Sequence, residues 1–104
     1  MIRHVFLLST QPSATGEDIE RLAAGIRALP ERLSEIRRYE VIRDLGRQAG
    51  NAALLLIADF DSFDAYESYR DHPEHLKLID DFVKPISAGF NRLQFETTMD
   101  EGAA

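Results

Sequence analysis

The sequence predicts an α+β domain, a four-stranded antiparallel sheet with helices on one face, and two observations carry that prediction. Segments of strand and helix character follow one another as strand, helix, strand, strand, helix pair, strand, with the apolar period switching between two and about 3.6 residues. The first and third strands are also apolar on both faces, whereas an antiparallel sheet with one wet face alternates apolar and polar. One layer of helices covers one face only. A second subunit packed sheet to sheet would cover the other, since a large bare apolar face is unusual on a monomer. At 104 residues the chain supplies one core and no second domain.

Taken in order, Ile2 to Ser9 offers the faces Ile2/His4/Phe6/Leu8 and Arg3/Val5/Leu7/Ser9, both substantially apolar. Its apolar run is too short, and no small-residue cleavage site follows, so it reads as a strand and not a signal peptide. Thr15 with Asp18 three residues on forms a capping box, and Ile19, Leu22, Ala23, Ile26 and Leu29 make one helical stripe that stops before Pro30. Ile36 to Leu45 is the second strand, with Arg37 and Arg38 on opposite faces. Either arginine is a candidate for a substrate carboxylate, against an ordinary ion pair. Asp44 to Asn51 is a polar loop with Gly46 and Gly50; it lacks the Lys-Ser or Lys-Thr of a phosphate loop and precedes a strand, so nucleotide binding is discarded. Ala52 to Phe60 is a continuous apolar run, expected in a central strand buried on both faces. Asp61 or Ser62 caps the next helix. Pro85 ends or kinks the last helix, Phe90 to Glu96 is the final strand, and residues 97–104 read as a loose tail.

Composition narrows the function. The net charge of −6 arises wholly between Asp59 and Asp81, where eight carboxylates face two cations. Such an acidic surface disfavours nucleic acid and anionic lipid, and no segment is apolar for long enough to span a bilayer. The absence of cysteine removes disulfides, thiolate catalysis and cysteine metal sites, and makes a cytoplasmic setting the default. Asp59, Asp61 and Asp64 lack the glycine and terminal glutamate of a calcium loop, so no metal is expected there.

The chemistry concentrates between Tyr66 and Ile86. Pro73 disfavours helical dihedrals at His72 yet suits a first helical position, so one helix ends near Asp71 and another begins at Pro73. On the second, His75, Ile79, Phe82 and Ile86 share a stripe, which turns the imidazole inward; on the first, Phe63, Tyr66 and Tyr69 step by three. Burial and the positive helix end favour a neutral His75, while Asp71 and Glu74 oppose that. A neutral imidazole is a base near pH 7, and a phenol can donate to an oxyanion. The plain alternative is a capping His72, a satisfied core His75 and a Tyr69 that only packs. His4, on the more apolar face of its strand, is a candidate third member. Phe6, Tyr69, Ile79 and Phe82 would line a site for a flat, partly aromatic ligand.

The segment YRDHPEH from Tyr69 to His75, with the opening from Ile2 to Leu8 and the Asp59-Phe-Asp-Ser run before the helix, resembles the stress-responsive dimeric α/β-barrel (Dabb) domain. The resemblance covers nearly the whole chain, placed at residues 1–96. It implies a ferredoxin-like protomer that forms a homodimer through its sheet. Plant polyketide cyclases of that family carry a tyrosine and a histidine at the positions of Tyr69 and His75 and a histidine matching His4. By that resemblance His75 would abstract a proton, Tyr69 would stabilise the oxyanion and His4 would orient substrate, with no cofactor. Three readings result: a small-molecule-binding protein without assigned reaction, which leads; a cofactor-independent cyclase or aldol-type lyase; and an oxygenase, cofactor-free or with His75 on haem iron.

Overall fold

Four strands, β1 (Ile2–Thr10), β2 (Arg38–Arg43), β3 (Leu54–Phe60) and β4 (Ser87–Glu96), pair antiparallel in the order β2-β3-β1-β4 in the computed structural model, which describes residues 1–98. Helices α1 (Gly16–Arg27), α2 (Phe63–Asp71) and α3 (Pro73–Leu78) complete the ferredoxin-like order βαββαβ, the second helical connection being split in two. Residues 99–104 of the expected tail lie outside the described residues. The expected start of that tail, Thr97, donates its N–H to the Met1 carbonyl at 2.8 Å, extending the β1–β4 pairing by one step.

Local chemistry sets each helix start. Thr15 Oγ1 accepts from the Asp18 N–H at 3.0 Å and the Asp18 carboxylate accepts from the Thr15 N–H at 2.9 Å, so both halves of the capping box form. Ser62, and not Asp61, caps α2 by accepting from the Ala65 N–H at 3.1 Å; Asp61 instead receives Arg37 at 2.8 and 3.0 Å. His72 Nδ1 accepts from the Glu74 N–H at 3.1 Å, and Pro73 takes the first position of α3, where its missing N–H is not needed. Buried Leu22, Ala23 and Ile26 seat α1 on the sheet, and Pro30 lies in a 3₁₀ turn, Leu29–Glu31, after the helix has ended.

The second strand is shorter than the sequence pattern suggests. The Asp44 carboxylate accepts from the Gly46 N–H at 2.8 Å and turns the chain out of the sheet, leaving Leu45 84% exposed; Gly46 has φ +77°, a conformation that favours glycine. The last strand is longer than expected. Its register with β1 shifts between Ser9 and Thr10, a bulge beside Gly89 at φ +141°, and this carries the pairing back to Ser87.

Alternation sorts the sheet into two faces. On the helix side His4, Leu8, Leu54, Leu56, Ala58 and Phe60 are buried. On the other side, Val5, Leu55 and Ile57 are half-buried and Leu7, Ile42, Leu93 and Phe95 are exposed within the protomer. Both faces of β1 and β3 are therefore apolar, but one protomer buries only one of them. Asp59, on the open face, is buried with Arg3 across it in a two-pronged ion pair of 2.8 and 3.0 Å.

A single turn changes the last helical segment. Lys84 donates its N–H to Ile79 O at 2.9 Å, five residues back, so Ile79–Val83 is a π turn following α3. The wider turn delays each later side chain. Val83 takes the inward place that an unbroken α-helix would give Phe82, and Phe82 rotates out over Gly25 of α1, where an added Cβ would lie 3.7 Å from its ring. The expected stripe of His75, Ile79, Phe82 and Ile86 is thus corrected at its third member.

Candidate functional site

A cavity of ≈ 120 Å³ lies between the helix-side face of the sheet and the helices. Its apolar wall includes Phe6, Ile26, Leu56, Leu78, Ile79 and Val83, and its polar groups are Tyr39, Tyr66, Tyr69, Arg70, His75 and Arg92. The sequence placed Phe6, Tyr69, His75 and Ile79 at such a site, and all four line the cavity. Phe82 does not: the π turn sends it to an outer groove with Gly25, Ala28 and Leu29.

His75 and Tyr69 meet ring against ring, with centroids 4.4 Å apart. Among the described residues no hydrogen bond joins the Tyr69 hydroxyl to the imidazole. His75 Nδ1 lies 2.9 Å from the Arg70 carbonyl, and a carbonyl can only accept, so Nδ1 carries the proton of the neutral ring. Nε2 keeps the lone pair and has no hydrogen-bond partner among the described residues. Burial lowers the His75 pKa below its ordinary value, against the opposing pull of the Arg70 carbonyl and Asp71, so the ring is neutral at pH 7.

Tyr69 bonds elsewhere. Its hydroxyl is 3.0 Å from that of Tyr39, and only one of the two can donate into that contact. The other retains an O–H for a ligand. Burial raises both phenols, Tyr69 to about 12, so both stay protonated at neutral pH. The sequence reading missed Tyr39. Its signal was register, because Tyr39 stands opposite Ala58, whose methyl leaves room for a phenol on the buried face.

His4 is buried but does not line the cavity. Its ring packs 4.9 Å from Tyr66 and 6.3 Å from Tyr69, and its Nδ1 is 3.0 Å from Gln94 Nε2. The same amide nitrogen donates to the Tyr66 hydroxyl at 3.3 Å, so Nδ1 of His4 is the acceptor. Burial, with the nearby His75 and Arg92, lowers the His4 pKa to about 4. Its place is behind the tyrosines, supporting them.

The residues offered for a carboxylate, Arg37 and Arg38, are ion-paired with Asp61 and Glu40. No group of three or more His, Asp or Glu among the described residues could hold a metal ion, and no helix there is long and apolar enough to cross a membrane.

Residues 2–98 match the family model described as the Stress responsive A/B Barrel Domain, Dabb. The chain belongs to the Dabb family. No curated protein matches it. Among solved structures, this Dabb chain is similar to a dimeric ferredoxin-like protein of unknown function from Thermobifida fusca, with 30% identity, a TM-score of 0.82, and 92% of this chain and 90% of that one covered. A dimeric protein of unknown function and ferredoxin-like fold from Bacteroides fragilis shares 22% identity at a TM-score of 0.80, over 92% and 95% of the two chains. A hydroxynitrile lyase from Passiflora edulis shares 17% identity at a TM-score of 0.80, with 94% of each chain covered. Likeness at the last two levels of identity concerns the Dabb fold alone.

Proposed function

We propose that this Dabb chain is one half of a homodimer that binds a compact, apolar or aromatic molecule in the cavity and is furnished for cofactor-independent proton transfer there. The dimer rests on the open sheet face, where Leu7, Ile42, Leu93 and Phe95 need cover, and on the dimeric relatives. The ligand size rests on volume. A cavity of ≈ 120 Å³ is close to the roughly 150 Å³ that holds benzene and below the roughly 300 Å³ at which drug-sized pockets begin. An extended poly-β-ketone and a porphyrin are both larger than this volume, which favours a compact ligand over the haem form of the oxygenase reading.

The observation that carries the chemical reading is His75, whose Nδ1 is held by the Arg70 carbonyl while its ring lines the cavity. Nε2 would take a proton from a carbon beside a carbonyl, and the enolate oxygen would accept the spare O–H of the Tyr39–Tyr69 pair. The proton then returns from Nε2 to product, so no cofactor is consumed. This is the step shared by aldol-type lyases and cyclases, and the Passiflora enzyme named as a hydroxynitrile lyase supports only the capacity of the fold to host a lyase. His4 has a positioning part, through Gln94 and Tyr66.

The test uses acetophenone in D₂O, with binding followed by amide shifts and α-proton exchange by proton NMR. Wild type is expected to bind and to accelerate exchange by about 10²- to 10⁴-fold, with His75→Ala losing the acceleration but not the dimer. Binding without acceleration would remove the base while leaving the binding site. Failure to bind, with shifts no different in Ile79→Trp, which fills the cavity, would remove both.

A further inference from the structure

The thirteen residues lining the cavity include only two that are exposed, Phe90 and Arg92, both on β4, so the mouth lies at that edge of the sheet. Arg92 stands opposite Phe6 in the register, and its guanidinium lies 5.5 Å from the Phe90 ring centroid. Its lack of a carboxylate partner sets it apart from most cations of the chain. Of the twelve lysines and arginines, ten are ion-paired with a carboxylate; Arg92 and Arg47 of the 44–53 loop have no such partner among the described residues. Arg70, the other cation on the cavity wall, is engaged by Asp71 at 2.8 and 2.9 Å. A protein with an excess of six negative charges has thus left one guanidinium uncompensated at the entrance to its apolar cavity.

We propose that the cavity takes a monoanionic carboxylate: the apolar or aromatic body sits inside between Phe6 and Ile79, and the carboxylate stays at the mouth on the guanidinium of Arg92. This inference rests on the cavity being the ligand site. The planar fork of arginine matches two carboxylate oxygens, and the flanking Phe90 ring limits its freedom before the ligand arrives. The limit to one charge comes from the cations at the cavity: Arg70 is already held by Asp71, so in a chain of net charge −6 a second negative charge would find no second uncompensated cation there. Arg92 also acts inward: its charge adds to burial and His75 in lowering the pKa of His4, and it opposes the rise that burial imposes on Tyr66. A carboxylate docked on it would weaken that field at the tyrosines and histidines behind.

The experiment compares benzoate with benzamide, near-identical in shape but different in charge, by calorimetry on wild type, Arg92→Gln and Arg92→Lys at low and high salt. Arg92 is on the surface, so its variants are not expected to unfold the protein. Wild type should bind benzoate at least about tenfold tighter than benzamide at low salt, with the preference shrinking as salt rises. Arg92→Gln should bring the ratio close to one through loss of benzoate affinity, and Arg92→Lys should restore part of it. Equal binding of the two probes by wild type, or an unchanged preference in Arg92→Gln, would overturn the carboxylate assignment while leaving the cavity as a binding site. Absence of binding by either probe, with acetophenone also failing to bind, would overturn the assignment together with the binding reading beneath it.

Discussion

Replacing His4 by asparagine should flatten the acid limb of the protein's stability profile. Asn Oδ1 can stand where His4 Nδ1 now accepts from Gln94, so the variant keeps an acceptor for that amide and loses the titrating group. In wild type the groups around the ring are Tyr66, Tyr69, Gln94, His75 and Arg92, none of them an acid that would favour imidazolium. The pKa therefore falls from 6.5 to about 4 on folding, with burial the main cause. The unfolded chain binds the proton first, so stability is intact above about pH 6.5 and is lost as pH falls toward about 4. At 1.36 kcal/mol per decade the limiting loss is about 3 kcal/mol per protomer, most of it expressed between about pH 7.5 and about pH 4.5. Urea titrations at fixed protomer concentration measure this, because a dimer's midpoint depends on concentration. His4→Asn should be the less stable protein at neutral pH, having lost the ring packed on Tyr66. The gap should then close by most of that amount across the acid range, with the carboxylates common to both proteins cancelling in the difference. A gap that stays constant within about 0.5 kcal/mol would refute the buried neutral histidine.

Two further outcomes concern the open sheet face. Arg3→Met leaves the Asp59 carboxylate, 3% exposed, without its two-pronged partner and should cost about 3 kcal/mol in urea unfolding; a loss below about 1 kcal/mol would mean that Arg38 alongside substitutes fully. Leu93→Lys places an ammonium on a side chain 57% exposed in the protomer and, in a homodimer, does so twice. Losing about 2 kcal/mol of burial per copy should weaken association about a thousandfold, read by sedimentation equilibrium in the ultracentrifuge, and an unchanged dimer would show that the interface lies elsewhere.

The parts of this fold that sequence made legible are those whose causes are local. Thr15 and Asp18 cap a helix because three residues bring their donors and acceptors together, and Pro73 starts one because its ring permits little else. That β1 and β3 are apolar on both faces is legible as well, since alternation is a property of the strand itself. The site is legible only as far as it rests on the same periodicity. His75 and Ile79 face the cavity as a helical stripe requires, but Phe82 obeys a hydrogen bond from Lys84 to Ile79 that no apolar period encodes. Tyr39 enters through its register against Ala58, some twenty residues away, and Arg92 is informative because carboxylates of the kind that hold most of the other arginines are absent around it, a fact of tertiary placement. These non-local features are also the ones that separate function from packing. An α-helical turn at Ile79–Val83 would give Phe82 the inward place that Val83 now holds. The π turn puts a valine there in place of that phenyl, so the wall of the cavity that holds His75 includes Val83 and not Phe82, and the base proposed for this site depends on a hydrogen bond no local pattern announces.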